Sequence, residues 1–234
     1  MDFMGPTPVG AGEAHLLSIL DDHSRYGLWL EACANQQQET VKAALTACFK
    51  CHGLPRRLLT DNGPPWSTSG KGGITTLEAW LIRLGILVWH GAFYHPQTQG
   101  KVERWHRTIQ AEVFAPTRPP YPSLETAQAA IDQFRQDYNE LRPHAALDHA
   151  CPASRYAPSP RPFPERLPEL TYGPDDQVRK VRGQGAISFA GRSWFISSGL
   201  VGEPVGVRPT RVDGVFDVRY GHLVLRTLDL TEPG

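Results

Sequence analysis

The spacing of apolar residues changes period repeatedly along the first two-thirds of this chain, and that switching restricts the folds open to it. His15–Asp21 (HLLSILD) and Tyr26–Cys33 (YGLWLEAC) are apolar runs of strand length, joined by the polar turn Asp22-His23-Ser24-Arg25. Met1–Met4 reads as the end of a strand before them. Glu39–His52 then takes helical spacing, with Val41, Leu45, Cys48 and Phe49 on one face and Gly53-Leu54-Pro55 as its stop. Arg57–Asp61 is a strand, Thr75–Leu84 a helix and Ile86–Trp89 a strand. Helical spacing returns at Lys101, where Val102, Trp105, Ile109 and Val113 mark the apolar stripe, and again from Ser123 to Leu141. Strands followed by alternating helices and strands predict an α/β domain over residues 1–150. A proline-rich linker follows over 151–173, with Pro152, Pro158, Pro160, Pro162, Pro164 and Pro168. Residues 174–234 carry only short β runs between glycine turns and predict a small five-stranded, all-β barrel.

No apolar run approaches the roughly 20 residues that a membrane-spanning helix needs. The opening residues lack the basic and apolar blocks of a signal peptide, so a cytoplasmic protein is expected. The four cysteines form no disulfide framework. Cys48-Phe49-Lys50-Cys51-His52 spells a haem-attachment pattern, but it ends a helical stretch and reads better as helix packing. The chain has 24 basic and 24 acidic residues, which argues against a general nucleic-acid coat. The local distribution is less neutral: Arg179, Lys180, Arg182, Arg192, Arg208 and Arg211 face only Glu203, a footprint suited to DNA or to a solvated face.

Two acids stand out by position. Asp61 ends a strand in "LLTDNGPPW"; Asn62-Gly63 turns the chain, and Pro64-Pro65 prevent an ordinary strand from resuming. Glu103 occupies the first turn of a helix, behind a loop rich in Gly, Gln and Thr. Asp2 lies on the first candidate strand, and Asp21 and Asp22 compete with it. Carboxylates from separate elements suit divalent ions that clamp a phosphate. They also suit turn caps, and spacing alone does not bring them together.

"MDFMG", "LLSILDDHSRY", "GLPRRLLTDNGPPW", "HPQTQGKVERWHRTI" and "YNELRPHAALDHACPASRY" stand in one order along residues 1–157. Together they resemble the catalytic core of bacterial insertion-sequence transposases, DDE recombinases of the retroviral-integrase superfamily. The resemblance implies a ribonuclease-H-like fold, a mixed five-stranded sheet flanked by helices. It implies Asp2, Asp61 and Glu103 as catalytic acids holding Mg²⁺, with Mn²⁺ as a substitute. The implied reaction is DNA cleavage that frees a 3′-hydroxyl, followed by transfer of that strand to target DNA.

His95, Gln97, Thr98 and Gln99 match the segment that relatives place against the DNA end. Lys101, Arg104 and Arg107 suit phosphate contacts, although Arg107 can equally pair with Glu103 one turn away. Arg179, Lys180 and Arg182 are the DNA-facing candidates in the C-terminal region. Asn139, Arg142 and His144 are expected to fix a helix end. Partners implied are transposon-end and target DNA and further copies of the chain on that DNA, at the bacterial nucleoid. The chain opens almost at the first acid, with no helix-turn-helix region before it, so it reads as a piece of a longer transposase. The rival is a catalytically inert truncated transposase that binds DNA or the full-length enzyme as an inhibitor. A ribonuclease acting on RNA–DNA hybrids fits "HPQTQGKVER" less well.

Overall fold

The computed structural model describes residues 1–68, 72–91 and 100–231. The chain divides into two compact units, Met1–Asp61 with Trp89–Phe163 and Asn62–Val88 with Pro164–Gly234, as far as these are described.

In the first unit, β1 (Asp2–Val9), β2 (Gly12–Leu20) and β3 (Gly27–Cys33) form an antiparallel meander. The central strand is apolar without alternation, and Leu16, Leu17, Ser18 and Ile19 are all buried, as expected for a strand covered on both faces. Asp21 closes the β2–β3 turn by accepting from the Ser24 amide (2.8 Å) and hydroxyl (2.6 Å). α1 (Gln38–His52) buries the stripe read from the sequence. Cys48 lies in that stripe, its thiol pushed up to about 12 by burial, which suits packing and not attachment chemistry. β4 (Arg57–Thr60) runs beside β5 (Leu87–His90), whose Trp89 and His90 belong to this unit.

α3 (Gly100–Glu112) and α4 (Leu124–Glu140) pack Trp105, Ile109, Ala127, Ile131, Phe134 and Tyr138 against Met4, Leu16 and Leu30. The start of the proline-rich stretch is held on this unit. Ser159 donates its amide to His52 O (2.8 Å) and its hydroxyl to Leu54 O (2.7 Å), and Leu54 N–H donates to Arg161 O (2.7 Å). Gly53 fits under it because a Cβ there would come within 2.4 Å of Ser159 O.

In the second unit, α2 (Thr76–Arg83) is capped by the Thr75 side chain. Six strands follow. β6 (Gln177–Lys180), β9 (Pro204–Pro209), β10 (Val215–Tyr220) and β11 (Leu223–Asp229) make an antiparallel sheet in the order β11-β10-β9-β6. β7 (Ala186–Phe189) and β8 (Arg192–Phe195) form a separate hairpin. The region is all-β as read from the sequence. It differs from the five-stranded barrel in having β6, an edge strand whose largely exposed residues show no alternation, and in splitting into a sheet and a hairpin among the described residues. Ile74, Ala79 and Ile82 join its core with Val205, Val207, Val218 and Tyr220.

Candidate active site

Asp2 begins β1 and stands directly opposite Ser18 in the β1–β2 register. The Met1 amine donates to Leu59 O (2.9 Å), which places the start of β1 beside β4 and its successor Asp61. The Asp2 side chain is 19% exposed. Burial pushes its carboxyl up to about 6, and the Asp61 and Glu103 carboxylates push the same way. The Met1 amine and the Phe3 N–H act against them. That amine is itself drawn down to about 6 by burial, against the pull of Asp2, Asp61 and Asp22.

Asp61 follows β4 at the point where pairing ends: Gly91 N–H donates to Thr60 O (2.9 Å). His90 Nδ1 lies 3.1 Å from Thr60 Oγ1 and 3.2 Å from Asp61 O, so this strand end is held through backbone and hydroxyl. Glu103 sits exposed in the first turn of α3, as read from the sequence. The structure sets Asp2 and Asp61 at neighbouring strand ends and Glu103 at the start of α3, and the charges of Asp61 and Glu103 both act on Asp2.

Hard oxygen donors of this kind match Mg²⁺ or Mn²⁺; the Asp2 carboxyl is raised by burial first and by its carboxylate neighbours after it. The fit is one of chemistry: among the described residues, no group of three or more His, Cys, Asp and Glu side chains is gathered closely enough to hold a metal ion.

Lys101 pairs with Asp22, Nζ to Oδ1 at 2.5 Å, which ties the first turn of α3 to the β2–β3 turn. Arg104 and Arg107 are exposed. His95, Gln97, Thr98 and Gln99 lie outside the described residues. Arg179, Lys180 and Arg182 lie on and just after β6 in the second unit, where Arg179 bonds Gln177 Oε1 and Lys180 and Arg182 are exposed. Asn139 fixes a helix end as expected: it accepts from Gly27 N–H (2.8 Å) and donates to Gly27 O (3.1 Å). Arg142 pairs with Glu112, and His144 meets the Tyr138 ring edge-on.

Two polar residues beside Asp2 escaped the sequence reading. Ser18 Oγ donates to Asp2 O (3.0 Å) and lies 2.5 Å from His106 Nε2. His106 Nδ1 is 4.0 Å from Asp2 Oδ2. The available signal was the position of His106, three residues after Glu103; nothing local marks Ser18, which looks like one more residue of an apolar strand.

A model of the integrase core domain matches residues 1–96, a second integrase core domain model matches residues 84–152, and a model of the IS481 family transposase C-terminal domain matches residues 176–234. The chain is 24% identical over 153 residues to the insertion element IS407 uncharacterized 31.7 kDa protein of Burkholderia multivorans, covering 65% of this chain and 52% of that protein. It is 29% identical over 154 residues to the Pro-Pol polyprotein of simian foamy virus type 1, covering 63% and 12%. It therefore spans about half the length of the first and about an eighth of the second. Its fold is similar to that of a chain in the simian T-cell lymphotropic virus intasome, solved in complex with PP2A regulatory subunit B56 gamma, at a TM-score of 0.53 and 14% identity over 98% of this chain and 75% of that one. The first unit is ribonuclease-H-like α/β, and the C-terminal region is all-β.

Proposed function

Residues 1–152 are an integrase core domain and residues 176–234 an IS481-type transposase C-terminal domain, and from this premise we propose that the chain is the catalytic part of a DDE transposase. In this reading it cuts DNA to free a 3′ end and joins that end to a target strand, assembled with further copies on the DNA of a bacterial nucleoid. What supports the proposal is the placement of Asp2 and Asp61 at neighbouring strand ends, joined through the Met1 amine and Leu59 O, with Glu103 in the first turn of α3.

Asp2, Asp61 and Glu103 would hold the divalent ions, Mg²⁺ or Mn²⁺. Such ions, when bound, lower the pKa of a nucleophilic water or hydroxyl and neutralise charge building on the phosphate. The protein's own part is to hold and orient. β1 and β4 present the two aspartates at adjacent strand termini. α3 presents Glu103 and, on the same turns, Lys101, Arg104 and Arg107 for phosphate oxygens. His95, Gln97, Thr98 and Gln99 would meet the DNA end, and Arg179, Lys180 and Arg182 would meet backbone phosphates through the C-terminal region. No covalent link between protein and DNA is required.

The test is nicking of supercoiled plasmid in Mg²⁺ or Mn²⁺, with Asp61→Asn and Glu103→Gln alongside. Nicking by the parent that both substitutions abolish supports the site. Nicking that persists in the variants assigns the activity elsewhere. Silence in the parent turns the reading toward an inert chain that binds DNA or full-length transposase.

A further inference from the structure

Asp2 and Glu103 belong to different elements, so their separation is only as well defined as the join between β1 and α3. A buried polar chain makes that join. Ser18 is wholly buried in β2, directly across from Asp2. Its hydroxyl has two neighbours, Asp2 O at 3.0 Å and His106 Nε2 at 2.5 Å. A peptide carbonyl oxygen only accepts, so the single hydroxyl proton belongs to Asp2 O. His106 Nε2 must then carry a hydrogen and donate it to Ser18 Oγ. The other ring nitrogen, Nδ1, faces Asp2 Oδ2 at 4.0 Å, too far to bond. His106 therefore grips the strand through Ser18 and leaves the Asp2 carboxylate oxygens available.

On α3, His106 lies three residues beyond Glu103, a separation that puts the two on adjoining parts of one helix surface. The same helix is anchored by Trp105 and Ile109, both fully buried. Packing of that kind fixes the depth of a helix but resists sliding and rotation less well than a directed hydrogen bond does. Burying a serine and a histidine also costs free energy that an apolar pair would not. The pair stands where β1, β2 and α3 meet, next to the first acid.

We propose that Ser18 and His106 are positioning residues that lock the Glu103-bearing helix to the Asp2-bearing strand, setting the separation of the two carboxylates for divalent-cation binding. This rests on the reading of Asp2, Asp61 and Glu103 as cation ligands.

The test is titration of the purified chain, without DNA, with Mn²⁺ followed by electron paramagnetic resonance. Ser18→Ala and His106→Leu weaken Mn²⁺ binding about tenfold, as loss of an outer partner of a metal ligand does. His106→Gln, which keeps a donor at similar reach, stays within about threefold of the parent. Circular dichroism melts establish that each variant is folded. Should His106→Leu fail to fold, Ser18→Ala carries the test alone. Nitrogen-15 spectra of the His106 ring give a second readout: hydrogen on Nε2 is expected, and hydrogen on Nδ1 alone overturns the proposed chain. Unchanged Mn²⁺ binding in folded Ser18→Ala, with binding lost in Asp61→Asn, overturns the positioning role while the cation site stands. A parent that binds no Mn²⁺ overturns both.

Discussion

A carboxylate that is four-fifths buried beside two others resists ionisation, and Asp2 carries that cost in its fold. Its carboxyl rises from 3.8 to about 6, so the folded chain binds this proton more tightly than the unfolded chain does. The cost is therefore absent below about pH 4, grows as pH rises toward about 6, and is present in full above that. Asp2→Asn removes the penalty. In metal-free buffer at pH 8 the variant should be more stable than the parent by about 2 kcal/mol in urea unfolding, and the gain should shrink to nothing near pH 4. A gain that is independent of pH would assign the effect to packing. His106, drawn down to about 4 by burial first and by the Met1 amine second, acts in the opposite direction as pH falls, so the parent–variant difference is the quantity to follow. Asp61 and Glu103 stand out as single residues because a strand end before Asn-Gly and a helix first turn are local features. Asp2 stands beside Asp21 and Asp22 as a candidate by position, and only the family pattern selects it. Ser18 and His106 were not legible, since their contact joins residues 88 apart in the chain.

At the scale of elements, local chemistry was readable wherever the partner lies within a few residues. The Ser123–Thr126 pair forms a reciprocal capping box at the start of α4, as its spacing allows. The far end of the same helix depends on a distant partner: Asn139 satisfies both backbone groups of Gly27 in a buried setting, 112 residues away. No side chain other than glycine fits at position 27, since a Cβ there would lie 2.6 Å from Trp105 Cζ2. These two ends should respond differently to substitution. Ser123→Ala removes an exposed cap and should cost about 1 kcal/mol. Asn139→Ala strands a buried N–H and a buried carbonyl and should cost about 2–3 kcal/mol. Urea denaturation of the pair measures both, and equal costs would mean that the Gly27 groups find new partners. The same division explains β6. It is paired by backbone bonds to β9, Gln177–Lys180 against Pro204–Val207, and its largely exposed side chains show no alternation.

At the scale of the whole molecule, order along the chain and grouping in space part company. Read in sequence, residues 62–88 sit inside the α/β region. In space they group with the β region that begins after Phe163. The apolar residues of the Thr75–Leu84 helix, Leu77, Trp80, Leu81 and Leu84, fall on one side in the sequence and tell only that one face is buried. The structure buries Ala79 and Ile82 as well, and these meet the core of the β strands. A helix buried on nearly every side has lost the polar face that would reveal its neighbours. Polar contacts strengthen the grouping. Ser197, fully buried, accepts from Ile74 N–H (3.0 Å) and donates to Ile74 O (2.8 Å), and Arg83 pairs with Glu203 at 3.3 Å. Ser197→Ala leaves both backbone groups of Ile74 buried without this partner, a loss of about 2–3 kcal/mol. If residues 72–86 and the β strands form one cooperative unit, hydrogen exchange in this variant should quicken together in α2 and in β9 and β10, while β2 and β3 keep the parent's protection. Protection lost in β9 and β10 but retained in α2 would separate the helix from the strands. The stretch just after Asp61 would then owe its order to something other than the C-terminal region.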